Sequence, residues 1–396
     1  MTAAGSASRV LFDATDLMWL IAKGRHHPTG IPRVVAECLV PLLDNVPNLV
    51  PVFFSRISRA FCQVDGRKLA TRDIDYVKKF SPASKDHLRR LYAYFGVLRS
   101  GRVVPQAEDT MLLLGGGWGY GRRHGYLFGP NGPRCRVIWF CHDLIPVLYP
   151  HFAGTDPNFP QVFATWLDAA LARGHEFICA SRFVEADLRS YAAERRVNVR
   201  ISVVPLAHEF RAVDGPVRDI IHRLSSRNTV LGVGSIAPRK NQMALVQAWN
   251  RLYGEFGESL PTLILAGDFI DPAPVEGFLQ RTGNVGGKVA LVGPVTEPEL
   301  TRLYEHCAFT VCPSLNEGWG LPVGESLWMG KPCLSSSLTS LPEVGGSHAV
   351  YFDPRDEEEM LGLLRQALRG EFAALPPPRS QLRSWTQVGA DIARLV

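Results

Sequence analysis

Short apolar, β-rich runs alternate with segments of helical period along this chain, and that alternation admits few architectures. The strand candidates of the first half are "RVLFD" (9–13), "LVPVFFS" (49–55), "TMLLLG" (110–115), "RVIWFC" (136–141), "EFICAS" (176–181) and "ISVVPL" (201–206). Those of the second half are "TVLGVGSI" (229–236), "TLILAG" (262–267), "VALVG" (289–293), "FTVCPS" (309–314) and "CLSSS" (333–337). Between them lie helices such as the one predicted after Thr29, with Thr29 as N-cap, Pro32 in the first turn and Val35, Cys38, Leu39 and Leu42 on one face. A second, from about Asn241, aligns Leu245, Ala248, Trp249 and Leu252. Strands alternating with helices build α/β layers around parallel sheets. A chain of 396 residues exceeds the usual size of one core, so two such domains are expected. The pattern breaks into a charge-rich stretch at 207–228, which divides the chain into a domain at 1–206, a linker at 207–228, a second domain at 229–375 and a tail helix at 376–396.

Composition removes several classes. No run of about 18 apolar residues is present to span a bilayer. The start "MTAAGSASRVLFDATDL" has no apolar core behind a basic stretch, so the expected location is the cytoplasm. A net charge of +5 suits anionic ligands and is too mild to indicate nucleic acid. The eight cysteines show no CxxC or zinc-type spacing, and those inside apolar runs read as small buried hydrophobes.

In open parallel sheets, ligands bind beyond the carboxyl ends of the strands, where the loops converge. The unusual residues of this chain fall there repeatedly. Gly30 closes the long loop after the first strand, "GGGWGYG" (115–121) follows the third, His142 and Asp143 the fourth, and Ser181 the fifth. In the second half "PRKN" (238–241) follows the first strand, Gly267 the second and "NEGWG" (316–320) the fourth. Their spread over both domains predicts a cleft between two facing sheets. Arg239 and Lys240 stand immediately before a helix N-terminus, where free N–H groups, the helix dipole and two cations make an anion site. Gly318 and Gly320 let the main chain approach a ligand closely. Pro322 opens the following helix and Gly330 ends it, which puts Glu325 in the first turn and Glu317 in the loop before it.

The run "EGWGLPVGESLWMGKP", with two glutamates separated by seven residues, resembles the signature of the retaining family-four GT-B glycosyltransferases (glycosyltransferases group 1). "GVGSIAPRKN" resembles that family's Arg/Lys loop, and "TGIPRV", "FCHDLIP" and "ICASRFVEADL" carry the likeness into the first half. Together they are similar to bacterial mannosyltransferases of surface-polysaccharide assembly. The fold this implies is α/β GT-B: two Rossmann-like domains whose parallel sheets face an interdomain cleft. The resemblance implies a nucleotide-diphosphate sugar as co-substrate, with Arg239 and Lys240 on its diphosphate, Glu317 on the donor sugar and Glu325 on the ribose. The main chain of Gly318, Trp319, Gly320 and Leu321 would line sugar and phosphates, and Gly234, Ser235 and Gly267 would line the same donor site. Gly30 would let the first loop approach the phosphate, and His142 would stand across the cleft beside the reacting centre, in an orienting role.

The implied activity is retaining, metal-independent transfer of a sugar, with mannose from GDP-mannose as the best fit, to a glycan or lipid-diphosphate-linked acceptor. No cofactor and no metal are expected: "DID" (73–75) reads as solvated surface, and "GDFID" (267–271) is set aside because Arg239 and Lys240 already supply the positive charge. Residues 72–102, basic and interleaved with aromatics, suggest peripheral contact with an anionic membrane surface. The alternatives are a GT-B nucleotide-sugar epimerase and a non-catalytic nucleotide-sugar-binding protein. A dehydrogenase fails on its fingerprint, because "GGGWGYG" lacks the GxGxxG helix start with an acidic residue about 20 positions on.

Overall fold

The computed structural model describes residues 8–22, 30–55, 58–70, 98–118, 121–129, 132–154, 156–226 and 228–396. It contains two sheets. The first joins β1 (Val10–Asp13), β2 (Leu49–Ser55), β3 (Ala60–Val64), β4 (Leu98–Val103), β5 (Thr110–Leu113), β6 (Arg136–Cys141), β7 (Glu176–Cys179) and β8 (Ile201–Val203) in the order β4-β3-β2-β1-β5-β6-β7-β8. The second joins β9 (Thr229–Val233), β10 (Thr262–Ala266), β11 (Val289–Gly293), β12 (Phe309–Cys312), β13 (Cys333–Ser336) and β14 (Val350–Phe352) in the order β11-β10-β9-β12-β13-β14. All pairings are parallel except β2–β3 and β3–β4.

Each strand candidate forms, and three further strands appear. β3 and β4 are the antiparallel edge of the first sheet, and β4 ("LRSGRV") carries two arginines and a glycine. Edge strands are paired on one side and tolerate charge and glycine, so no apolar run marks them. β14 has only three residues, too few to show a period.

Strand order positions the site. The connection direction reverses between β1 and β5 in the first sheet and between β9 and β12 in the second. Crevices open at the carboxyl ends of such strand pairs. The helices around these crevices are α1 (Thr15–Ala22), α2 (Ile31–Asn45), α3 (Ile145–Leu148), α4 (Phe159–Ala172), α5 (Arg182–Glu194), α6 (Gln242–Phe256), α7 (Leu321–Trp328) and α8 (Trp385–Ala393). In α2 and α6 the residues expected on the apolar face are buried, but the N-cap position of α2 is Gly30 rather than Thr29, which lies outside the described residues. A glycine suits the cap because its φ of +57° is a region that side-chain-bearing residues avoid.

One apolar cluster is shared by the two halves, with Phe12, Leu206 and Trp385 packed in the same group as Val323 and Leu341. The last helix, α8, lies on α2, where Gly389 meets Pro41 so closely that a Cβ would overlap the proline ring. Two stretches therefore run between the halves, and they are stitched together. His208 N donates to Arg383 O (2.8 Å), Arg383 N donates to His208 Nδ1 (3.1 Å), and Arg383 Nε donates to Pro205 O (2.7 Å). Among the described residues no helix is long and apolar enough to cross a membrane. The segments 73–75 and, for the most part, 72–102 lie outside the described residues.

Candidate functional site

The loop leaving β12 carries Glu317 into the crevice of the second sheet. Its side chain is buried, and three groups hold it: Arg239 Nη1 donates to Oε2 (3.0 Å), Lys240 Nζ donates to Oε1, and Ser314 Oγ donates to Oε1 (2.8 Å). The loops themselves are joined, since Leu315 N donates to Arg239 O (2.8 Å). Burial alone would raise the Glu317 pKa, but the charges of Lys240 and Arg239 and the hydrogen bonds to it prevail and lower it to about 2. The carboxylate is ionised at neutral pH. Arg239 makes both its bonds, to Glu317 and to Asn316 O (3.3 Å), through Nη1. The N–H groups on Nε and Nη2 are left for a further acceptor.

Two glycines bring the neighbouring turns together. Gly234 and Gly267 follow β9 and β10 with φ of +148° and +153°. A Cβ on Gly267 would overlap the Gly234 carbonyl, while the Lys240 stem runs 3.6 Å from where a Gly234 Cβ would stand. Ser235 lines the interdomain cavity beside Arg239, and its carbonyl accepts from Gln242 Nε2 (2.8 Å) in the first turn of α6.

The facing wall comes from the first sheet. The His142 ring is tied through Nε2 to Leu114 O (2.8 Å), and burial lowers its pKa to about 4, so it is neutral with the proton on Nε2. Asp143, next in sequence, lines the cavity and accepts from Ile145 N (3.0 Å). Burial raises its pKa while the charge of Arg239 across the cavity opposes that rise. Ile31, beside Gly30, lines the same cavity, whose volume is about 370 Å³.

Gly318 has a use that its sequence context does not reveal. A Cβ there would overlap the carbonyl oxygen of His142, so this position must be glycine for the two domains to meet. Ser181 Oγ donates to Gly318 O (2.9 Å) while accepting from Val184 N as the N-cap of α5. The next two N–H groups of α5, of Arg182 and Phe183, donate to the carboxylate of Glu343 from the second domain (2.7 and 2.9 Å). Trp319 is buried, its ring 6.5 Å from that of His208. Gly320, with φ of +107°, caps α7, where Leu321 begins the helix half-buried.

Glu325 departs from its expected position. It lies in the second turn of α7, not the first, because the helix begins at Leu321. It is buried, and both oxygens are engaged: Arg33 Nη1 of α2 pairs with Oε1, and Tyr304 OH donates to Oε2 (2.9 Å). The structure thus joins Arg239, Lys240 and Glu317 in one group and Glu325 in another, whose cation belongs to the first domain. Sequence reasoning missed Arg33, Tyr304 and the part played by Asp143. Arg33 and Glu325 are 292 residues apart, so no local pattern links them. A buried arginine does need a counter-charge, and "TGIPRVV", with Arg33 among apolar helix residues, was the available signal. Among the described residues no group of three or more metal-ligating side chains occurs.

Residues 227–369 match the family described as glycosyl transferases group 1. The serotype-specific mannosyltransferase WbdA of Escherichia coli is 30% identical over 247 residues, which make up 60% of this chain and 29% of WbdA. The O-antigen chain mannosyltransferase B of Escherichia coli is 33% identical over 150 residues, 38% of this chain and 39% of that protein. The chain thus spans well under half the length of these curated relatives. Among solved structures, Anabaena Alr3699/HepE in complex with UDP and glucose superposes with a TM-score of 0.56 at 14% identity, covering 98% of this chain and 95% of HepE. Two facing α/β domains give this chain the GT-B fold, and its second domain is similar to the glycosyl transferases group 1 and to bacterial mannosyltransferases.

Proposed function

We propose that the chain is a retaining, metal-independent glycosyltransferase that moves mannose from GDP-mannose to a glycan or lipid-linked glycan acceptor during polysaccharide assembly. The observation that carries this reading is the ion-paired Arg239–Lys240–Glu317 group, in which Arg239 lines an interdomain cavity and both cations sit on the loop before the α6 N-terminus. A donor diphosphate suits this place. The free N–H groups of Arg239, the compact charge of Lys240 and the helix dipole all favour an anion, and they would stabilise the charge that builds on the departing nucleotide.

In the proposed step the acceptor hydroxyl oxygen bonds to the anomeric carbon as the bond from that carbon to the β-phosphate oxygen breaks. The hydroxyl proton passes to a departing phosphate oxygen, and attack from the same face keeps the configuration. The ionised Glu317 fixes both cations in place and offers lone pairs to donor-sugar hydroxyls. His142, neutral and tied to Leu114 O, is too weak a base for the acceptor proton and suits an orienting role. Glu325 reaches a ribose only by sharing or exchanging its bonds to Arg33 and Tyr304. The basic segment 72–102 supports work at the cytoplasmic face of a membrane.

The test is incubation of the purified chain with GDP-, UDP-, dTDP- and ADP-sugars and simple acceptors, with and without EDTA, followed by NMR of the product anomer. Nucleotide release with a retained anomer, undiminished by EDTA, is the expected result. An epimerised donor without transfer, an inverted anomer, or activity only with added magnesium would each break the reading.

A further inference from the structure

The motif "GGGW" (115–118) takes no part in the donor site, yet the structure builds it with care. A Cβ on Gly115 would overlap the carboxylate of Asp16, and Gly116 N donates to the same carboxylate (2.7 Å). A Cβ on Gly117 would overlap the rings of Trp166 and Trp139, both buried. Three consecutive glycines thus let this loop lie flat on a carboxylate and a tryptophan pair. The result is that Trp118, one residue on, reaches the wall of the interdomain cavity. Its ring is backed by Phe163 (centroids 4.8 Å) and Trp166 (5.5 Å), so it is held as a rigid plate.

The composition of the cavity around that plate is mixed. Phe152 and Phe159 share the wall with Trp118, while Asp143, Asp271 and Arg239 supply charge to the same space. A sugar ring has this character: one face presents C–H groups and packs on an aromatic plane, and its rim carries hydroxyls that need acceptors once water is removed. A volume of about 370 Å³ lies at the low end of small-ligand pockets, too small for a long prenyl chain. Arg239 bounds the cavity on the donor side, so a ring resting on Trp118 faces the proposed diphosphate.

We propose that Trp118 is a specificity-determining residue on which the acceptor's sugar ring stacks, with Asp143 taking hydroxyl hydrogen bonds at its rim; this assignment rests on the transferase reading above. Among the described residues the Asp143 carboxylate accepts only from Ile145 N, and it has lone pairs left for two or more hydroxyls. The acceptor recognised here is therefore a glycoside rather than a bare lipid phosphate.

The experiment is saturation-transfer NMR on the full chain, with methyl glycosides of mannose, glucose, galactose and N-acetylglucosamine as probes, each with and without GDP. Transfer to the ring C–H protons of at least one glycoside is expected. The signal should fall at least ten-fold in Trp118→Ala, persist in part in Trp118→Phe, and fall in Asp143→Asn. Thermal melts check that the variants fold, and Trp118→Phe keeps the test decisive if the alanine variant does not. No signal from any glycoside, a signal unchanged in both tryptophan variants, or displacement of the glycoside by farnesyl phosphate would overturn the proposal. Failure of every nucleotide to raise the melting temperature would instead break the donor reading, and the glycoside result would still decide this one.

Discussion

Glu317 and Glu325 stand with seven residues between them, and both are buried, yet they are satisfied in opposite ways. Glu317 draws its partners, Arg239, Lys240 and Ser314, from its own domain. Glu325 takes a hydroxyl from its own domain, Tyr304, and a cation from the other, Arg33. One carboxylate belongs to a group complete within a single domain. The other is complete only when the two domains are together. Buried charges demand partners in either case, but the second arrangement ties the electrostatics of the second domain to its contact with the first.

The largest expected effect lies on the first side of this comparison. Glu317→Gln leaves the half-buried Arg239 and Lys240 without their counter-charge, and breaking such a group costs at most about 3–5 kcal/mol. Urea unfolding should show that loss, and sugar transfer should cease. A variant as stable as the wild type would mean that the group is solvated and the contrast with Glu325 is false.

Acid sharpens the same point. The Glu317 pKa is lowered from 4.5 to about 2 in the folded chain, so its stabilisation is fully present above pH 4.5 and is lost as pH falls from there towards 2. The shift corresponds to about 3 kcal/mol. The stability difference between wild type and Glu317→Gln, measured in urea, should shrink across that window, and a constant difference would contradict it.

Arg33→Ala tests the second side. It strands one oxygen of Glu325, at a cost of about 1–3 kcal/mol. The penalty falls on closure rather than on the second domain alone, so small-angle scattering should show a larger radius while the Arg239 region keeps its hydrogen-exchange protection. Equal loss of protection around Arg239 would show that the two groups act as one.

The smallest effect is expected at Glu343. Its carboxylate caps α5 from the opposite domain, and Glu343→Ala should remove about 1 kcal/mol, as lost caps do. Amide exchange at Arg182 and Phe183 should quicken in that variant with little change elsewhere.

The fold was legible wherever burial imposes a pattern. Strands covered on both faces need continuous apolar runs, and each such run proved to be a strand. β3, β4 and β14 escaped because an edge or a three-residue strand has no such need. In the site, the residues that share a loop were legible together: Arg239 precedes Lys240, and Glu317 precedes Gly318. The partnerships between loops were not. Gly318 looked like a glycine for a ligand, and it also makes room for the His142 carbonyl. Glu325 looked like a first-turn carboxylate open to a ribose, because the arginine that occupies it comes from the far end of the chain.

The doubled connection at His208 and Arg383 carries a mechanical consequence. A single strand of backbone between two bodies permits bending and swivelling alike. Two strands laid side by side, and laced by six hydrogen bonds, behave as a strap. A strap folds across its width and resists torsion, so any parting of the lobes would follow one path, and a return along it would bring the same faces into register.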